Sequence, residues 1–334
     1  MSTHARHVLD GGLQGCFHSV CLATLGFIAA AGAVVAADYP TKPIRFVVGF
    51  APGGGADTSC RYWGQKLSAS IGQPVVVDNR PGASGELAVK LVMSSTPDGY
   101  TMLCTTASAG ISSAKPNPPF DLRTDLAPVI QMTRFTFAFY VAPTFPVKSI
   151  PELIAYAKAR PGQLNYGSVG IGSTTHLAFE LFKQATGIDI VHVPFKGTAQ
   201  SSVAVMTGEI QLGLDAAAAL KPFFDSGKLR PLAVVSARRA STLPDVIGMQ
   251  EAGVPGVDVI AWTGLTAPAK TPRNIINLVN KQFNAILKEP DLKTFFFNLG
   301  YEPAGGSPED LARLLAREVA AWSKVIKTAK IQFK

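Results

Sequence analysis

Short apolar runs alternate along this chain with segments in which apolar residues recur every three or four positions. Ile44 to Phe50 reads as a strand, Thr58 to Ser70 as a helix, Val75 to Asp78 as a strand, Gly85 to Met93 as a helix and Tyr100 to Thr105 as a strand. Such a βαβαβ series predicts parallel strands with helices on both faces. After the proline-punctuated Lys115-Pro116-Asn117-Pro118-Pro119, the apolar run Phe135 to Val141 leads into a second series. Ser149-Ile150-Pro151-Glu152 is a capping box with proline in the first turn, and it opens a helix to Arg160. Leu164 to Ser168, Ile190 to Val193, Ile210 to Leu214 and Leu232 to Val235 are strand-like, with helices from His176 and around Val203. Thr271-Pro272 and Ser307-Pro308-Glu309-Asp310 open two terminal helices. In the second of them Leu311, Leu314, Leu315, Val319, Trp322 and Val325 share one face. The expected fold is α/β with two lobes, each a mostly parallel sheet flanked by helices. Residues 38–141 with 263–334 make lobe one and 142–262 make lobe two, with the ligand cleft between them and the tail helices over lobe one.

The first 37 residues follow a different pattern. His4, Arg6 and His7 lie in a polar lead, Val20 to Ala36 is almost wholly small or apolar, and Val34-Val35-Ala36-Ala37 offers small residues just before Asp38. This predicts a cleaved signal peptide over residues 1–37 and export to the periplasm. The apolar run is short and broken by Gly26 and Gly32, which argues against a membrane anchor. A lipid anchor on Cys16 or Cys21 fits less well, because Leu13-Gln14-Gly15-Cys16 precedes the apolar run instead of closing it.

The net charge of +8 survives that cleavage, but its cations are scattered without a run or aromatic interleaving, so nucleic acid is not an expected partner. Cys60 and Cys104 remain after cleavage, without the paired spacing of a zinc site, and no metal or cofactor is expected. The two either meet as a disulfide in the exporting compartment or stay as buried thiols.

Two glycine-rich loops carry the candidate chemistry. Pro52-Gly53-Gly54-Gly55-Ala56-Asp57 and Gly167-Ser168-Val169-Gly170-Ile171-Gly172-Ser173-Thr174-Thr175-His176 each leave a strand-like run and enter a helix-like one. Such a turn presents free backbone N–H groups and the positive end of a helix dipole, which together receive an anion without a basic side chain. Asp57 is expected to cap the first helix.

Six motifs in order resemble the Bug family, the extracytoplasmic solute-binding proteins of tripartite tricarboxylate transporters. They are Phe50-Ala51-Pro52-Gly53-Gly54-Gly55-Ala56-Asp57, Asp78-Asn79-Arg80-Pro81-Gly82-Ala83-Ser84-Gly85, Pro97-Asp98-Gly99-Tyr100, the Tyr166 to His176 loop, Val193-Pro194-Phe195-Lys196-Gly197 and Gly227 to Val234. The resemblance implies a two-lobed flytrap that closes on a small carboxylate (a dicarboxylate, an amino acid or an aromatic acid) and presents it to the membrane permease subunits. A monomer is expected, because one cleft suffices. From lobe one, Phe50, Pro52, Gly53, Gly54, Gly55, Ala56, Thr105 and Thr106 would meet the ligand. From lobe two, Ser168, Gly170, Ser173, Thr174, Thr175 and Asp215 would do so, with His176 and Lys196 as further candidates. Glu86 departs from the family pattern, and buried near the pocket it would repel a second carboxylate. The loop Ser108 to Phe120 is also shorter and richer in proline than the family's.

Two other classes compete. A ligand sensor presenting the bound carboxylate to a two-component kinase would use the same site. A secreted hydrolase finds little support, and no catalytic residue is assigned. Gly55 and Ala56 stand where a P-loop needs Lys and Ser/Thr, Thr175 replaces the third glycine of a dinucleotide fingerprint, and Tyr166 occupies the first glycine of a nucleophile elbow.

Overall fold

β-branched and aliphatic runs form the strands at one end of the sheet: β1 (Ile44–Val48) lies between β2 (Val75–Asn79) and β3 (Thr101–Thr106), both parallel to it. The computed structural model describes residues 39–333 apart from Gly54, Lys196 and Gly197. The expected signal peptide, with Cys16 and Cys21, lies outside those residues. Every strand and helix named below belongs to the unit Lys42–Lys334. α1 (Gly55–Ile71) and α2 (Glu86–Met93) connect β1, β2 and β3.

A finding absent from the sequence reading is the 16-residue strand β4 (Leu126–Val141). Its first part pairs antiparallel with β9 (Ile260–Pro268) and β10 (Glu302–Gly305), and its last residues pair antiparallel with β7 (Gly213–Ala216) and β8 (Arg230–Val234). β9 also runs antiparallel to β3, giving the order β10-β4-β9-β3-β1-β2. Parallel pairing thus occupies the β1, β2 and β3 end and the separate pair β5 (Asn165–Ser168) with β6 (Val191–Pro194), while β4 and β9 make the sheet mixed. β4 begins nine residues before the apolar run Phe135 to Val141. β7 begins three residues later than expected, which puts Asp215 inside the strand, opposite Ala138, and not after it.

The remaining helices are α3 (Ala107–Ser113), α4 (Ile150–Lys158), α5 (Thr174–Thr186), α6 (Thr198–Met206), α7 (Ala217–Asp225), α8 (Arg273–Ile286), α9 (Pro290–Asn298) and α10 (Pro308–Ala329). α3 occupies the first half of the segment read as a proline-rich loop. The period of two along β4 sorts its side chains into two layers: Phe137, Phe139 and Val141 join the core under α4 and α5, whereas Ala138 and Tyr140 join the one under α6 and α7. On β1, Phe46 faces an aromatic cluster in which Trp63 and Phe283 lie 5.1 Å apart and Trp63 and Phe296 5.5 Å apart.

The capping box of α10 is present, with Ser307 and Asp310 bonding reciprocally. Along the helix, Leu311 and Leu315 pack with Val47, Leu103 and Trp262, while Val319, Trp322, Val325 and Ile326 pack with Phe179 and Phe182. The apolar stripe of this 22-residue helix is thus long enough to reach both cores. Cys60 on α1 and Cys104 on β3 form a buried disulfide with Cα atoms 6.4 Å apart.

Candidate functional site

The first glycine loop is held from behind by a polar ring. Asp57 sits inside the first turn of α1, not at its N-cap position. Its carboxylate accepts from the Gly53 N–H at 2.9 Å, from Arg61 Nε at 3.0 Å and from Asn79 Nδ2 at 2.8 Å. Asn79 Nδ2 also donates to the Phe50 carbonyl at 3.0 Å. Burial works to raise the Asp57 carboxyl, but the bonds from Arg61, Gly53 and Asn79 outweigh it and hold the group below the usual carboxylate range. The Gly53 amide is thereby spent on the loop.

The second glycine loop consumes most of the polar groups expected to face a ligand. Ser168 Oγ lies 2.6 Å from His192 Nε2 and accepts from the Gly170 N–H. Ser173 donates to the Gly170 carbonyl at 2.7 Å and caps α5 by accepting from the His176 N–H. Thr175 Oγ1 accepts from the Val169 N–H, and His176 Nδ1 accepts from the Gly172 N–H at 3.1 Å. Gly172 has φ +76°, and a Cβ on it would stand 2.7 Å from the Phe333 ring. The sequence places these hydroxyls beside a ligand; the fold turns them inward because the sharp loop leaves backbone groups that need partners.

His176 and His192 stack at 4.0 Å between centroids. Burial lowers both, opposed at His176 by Glu180; the His176 ring and Lys183 add to the effect on His192, pushing it down to about 3. In the unfolded chain these histidines regain their ordinary affinity for protons, so their contribution to folded stability is level above pH 6.5 and falls as pH drops from there toward 3. Melting temperature measured from pH 7 to pH 4 is expected to fall, and to fall less steeply in His192→Gln; an equal slope in the variant would contradict this account.

The two loops meet at a cavity of about 280 Å³. Of the residues expected to bind, Phe50, Gly55, Ala56, Thr106, Thr174 and Asp215 line it. Pro52, Gly53, Thr105, Ser168, Gly170, Ser173, Thr175 and His176 do not; Gly54 and Lys196 lie outside the described residues. Thr105 is buried within β3, its hydroxyl bonded to Thr266. Glu86 is also away from the cavity. Its Oε1 accepts from Ser112 at 2.9 Å and pairs with Lys115 at 2.5 Å, so its charge is compensated and the argument from it against a second carboxylate does not hold.

Phe135, Phe137, Trp262 and Tyr301, which the sequence did not place at the site, also line it, as do Ala216, Ala219 and Ala261. Tyr301 stands out physically. It is 8 % exposed, its hydroxyl makes no hydrogen bond among the described residues, and burial raises its pKa. A Cβ on Gly55 would lie 2.1 Å from that oxygen, so the absent side chain leaves the space in which the phenol sits over the start of α1. Thr106, Ser108 and Thr174 also bring hydroxyls to the cavity that are not bonded within the described residues. Three helix starts reach the same space: α1 through Gly55 and Ala56, α5 through Thr174, and α7 through Ala216, where no side chain caps the helix. Asp215 accepts from Tyr140 Oη at 2.8 Å. Such a set offers an anion several neutral donors and oriented dipoles.

A larger cavity, about 360 Å³, opens beside Arg134, Arg238, Arg239 and Glu302. There Arg134 already pairs with Glu302 at 2.9 Å and Arg239 with Glu251 at 2.9 Å, and neither glycine loop reaches it. The smaller cavity is the better candidate.

Residues 60–331 match the family model described as the tripartite tricarboxylate transporter family receptor. The chain is similar to BugT of Bordetella pertussis, 34 % identical over 320 residues that cover 94 % of this chain and 98 % of that one. Among solved structures it is similar to R. palustris Rpa4515 with adipate, at 38 % identity and TM-score 0.80 over 88 % of this chain and 99 % of that one. It is also similar to MatC from Rhodopseudomonas palustris with bound malate, at 29 % identity and TM-score 0.77 over 86 % and 100 %. Its neighbours, the periplasmic binding protein BugD among them, share the two-lobed fold. With a family model matched over most of its length and relatives similar from end to end, the chain belongs to the tripartite tricarboxylate transporter receptor family, the periplasmic solute-binding proteins to which the Bug proteins are related.

Proposed function

We propose that this protein captures a small carboxylate in the periplasm and delivers it, by closure of two lobes over the 280 Å³ cavity, to the membrane permease of a tripartite transporter. The lobes correspond to 38–141 with 263–334 and to 142–262, with the second half of α10 joining the latter. The carrying observation is the convergence of four hydroxyls without hydrogen-bond partners among the described residues, those of Thr106, Ser108, Thr174 and Tyr301, with the starts of α1, α5 and α7 on one cavity. Donors of this kind hold a carboxylate and leave it free to depart, since no ion pair has to be broken. The acids named for the neighbours, adipate and malate, support the class of ligand. Closure uses binding free energy to shift a hinge equilibrium.

The test is a thermal-shift and calorimetric panel of aliphatic and aromatic acids, each beside its uncharged amide. A ligand at about a hundredfold its Kd stabilises by roughly 2.7 kcal/mol. At least one acid is expected to bind while its amide does not, and Thr174→Ala is expected to weaken that acid. Equal binding of acid and amide, or no binding across the panel by a protein that melts cooperatively, would overturn the reading.

A further inference from the structure

We infer that the ligand is a monocarboxylate built on a single aromatic ring. The inference rests on the carboxylate reading above and concerns the rest of the molecule. Away from the hydroxyls, the walls are the rings of Phe50, Phe135, Phe137 and Trp262. Phe135 stands edge-on to Phe137 at 5.6 Å between centroids and to Tyr301 at 4.9 Å, so these rings brace one another and present fixed edges and faces. Ala216, Ala219 and Ala261 line the cavity with them, and their single methyl groups leave a gap that branched side chains would fill. A planar ring placed there meets aromatic partners in the offset and edge-on arrangements that rings prefer, whereas a flexible aliphatic chain must give up rotational freedom to fit the same gap.

Charge points the same way. Among the described residues no lysine, arginine or histidine lines the cavity, and the one ionisable carboxyl on its wall is that of Asp215. A second carboxylate at the far end of a ligand would lie against the electron-rich faces of the rings and near an acidic side chain, with no cation to meet it. One carboxylate, held by the hydroxyls and helix starts, is what the cavity accommodates. At about 280 Å³ it lies at the small end for ligand sites, which suits one ring and not two.

Calorimetric titration of the full mature chain with benzoate, cyclohexanecarboxylate, hexanoate, benzene-1,4-dicarboxylate and adipate tests this. Benzoate is expected to bind about tenfold tighter than cyclohexanecarboxylate, hexanoate or adipate, the size of effect that aromatic pairing supplies. Benzene-1,4-dicarboxylate should bind more weakly than benzoate. Phe137→Leu keeps an apolar wall but removes a ring, and should erase the preference for benzoate over cyclohexanecarboxylate. If adipate or hexanoate binds as tightly as benzoate, or if Phe137→Leu leaves the preference intact, the aromatic inference is overturned while the carboxylate reading stands. If none of the five acids binds, this inference is overturned, and the carboxylate reading stands or falls with the wider panel described above.

Discussion

Removing the Cys60–Cys104 bridge by the double substitution Cys60→Ala and Cys104→Ala is expected to lower folding stability by about 2–4 kcal/mol. The bridge joins residues 44 apart in sequence, and in the chain-entropy picture a loop of that size restricts the unfolded state by roughly 4 kcal/mol, an upper figure because residual unfolded structure reduces it. Both sulfurs are buried, so alanine leaves no stranded polar group. The effect should extend to binding. Cys60 lies on α1, whose first residues line the cavity, and Cys104 lies two residues before Thr106, which also lines it. Untying them frees the first loop to move against the end of β3. Urea unfolding of wild type with and without reductant, beside the double variant, checks this. The reduced wild type and the variant should share a lower midpoint; a midpoint unmoved in both would show that the bridge adds nothing to stability.

The second large effect is expected from Tyr301→Phe. The phenol oxygen has no hydrogen-bond partner among the described residues and is aimed at the space above Gly55, so its loss leaves the unliganded fold untouched. A hydrogen bond to a charged group contributes about 1.5–3 kcal/mol, which corresponds to a loss of roughly 10- to 150-fold in affinity for a bound carboxylate. Calorimetry should show the weaker binding while the melting temperature without ligand stays as in wild type. Gly55→Ala, which sets a methyl group 2.1 Å from the same oxygen, should weaken binding too, but through displacement of the phenol. Unchanged affinity in Tyr301→Phe would remove this residue from the site.

Much of the fold was legible because its signals are local. Ile44 to Val48 announces itself by β-branched residues and Ser307 to Asp310 by the chemistry of a helix start. α3 and α7 were not legible. Ala107 to Ser113 is a run of small residues with one isoleucine and shows no apolar stripe, while Ala217 to Asp225 has apolar Ala217, Leu220, Phe223 and Phe224 at helical spacing but carries an internal Pro222, which reads as a breaker. The direction of β4 and β9 was hidden as well, because alternation gives faces and says nothing of which neighbour a strand pairs with.

The candidate site divided in the same way. The positions of the glycine loops could be read from sequence, but not the aim of their side chains. Ser168, Ser173 and Thr175 are chemically equivalent to Thr174, and only the folded turn decides that the first three bond to the loop while the last faces the cavity. Tyr301 gave no local signal at all. It meets Gly55 across more than two hundred residues, a contact that exists only once β10 has paired with β4.

That shared strand also bears on how such a receptor can change over generations. Because β7 and β8 complete their hydrogen bonding on the last residues of β4, a gene fragment carrying only 142–262 would encode two strands with open edges, a template for aggregation. The halves of the molecule are not interchangeable cassettes. New ligand preferences are open to it through substitutions on the cavity wall, whereas exchange of a whole lobe between relatives would have to splice the inside of a paired strand.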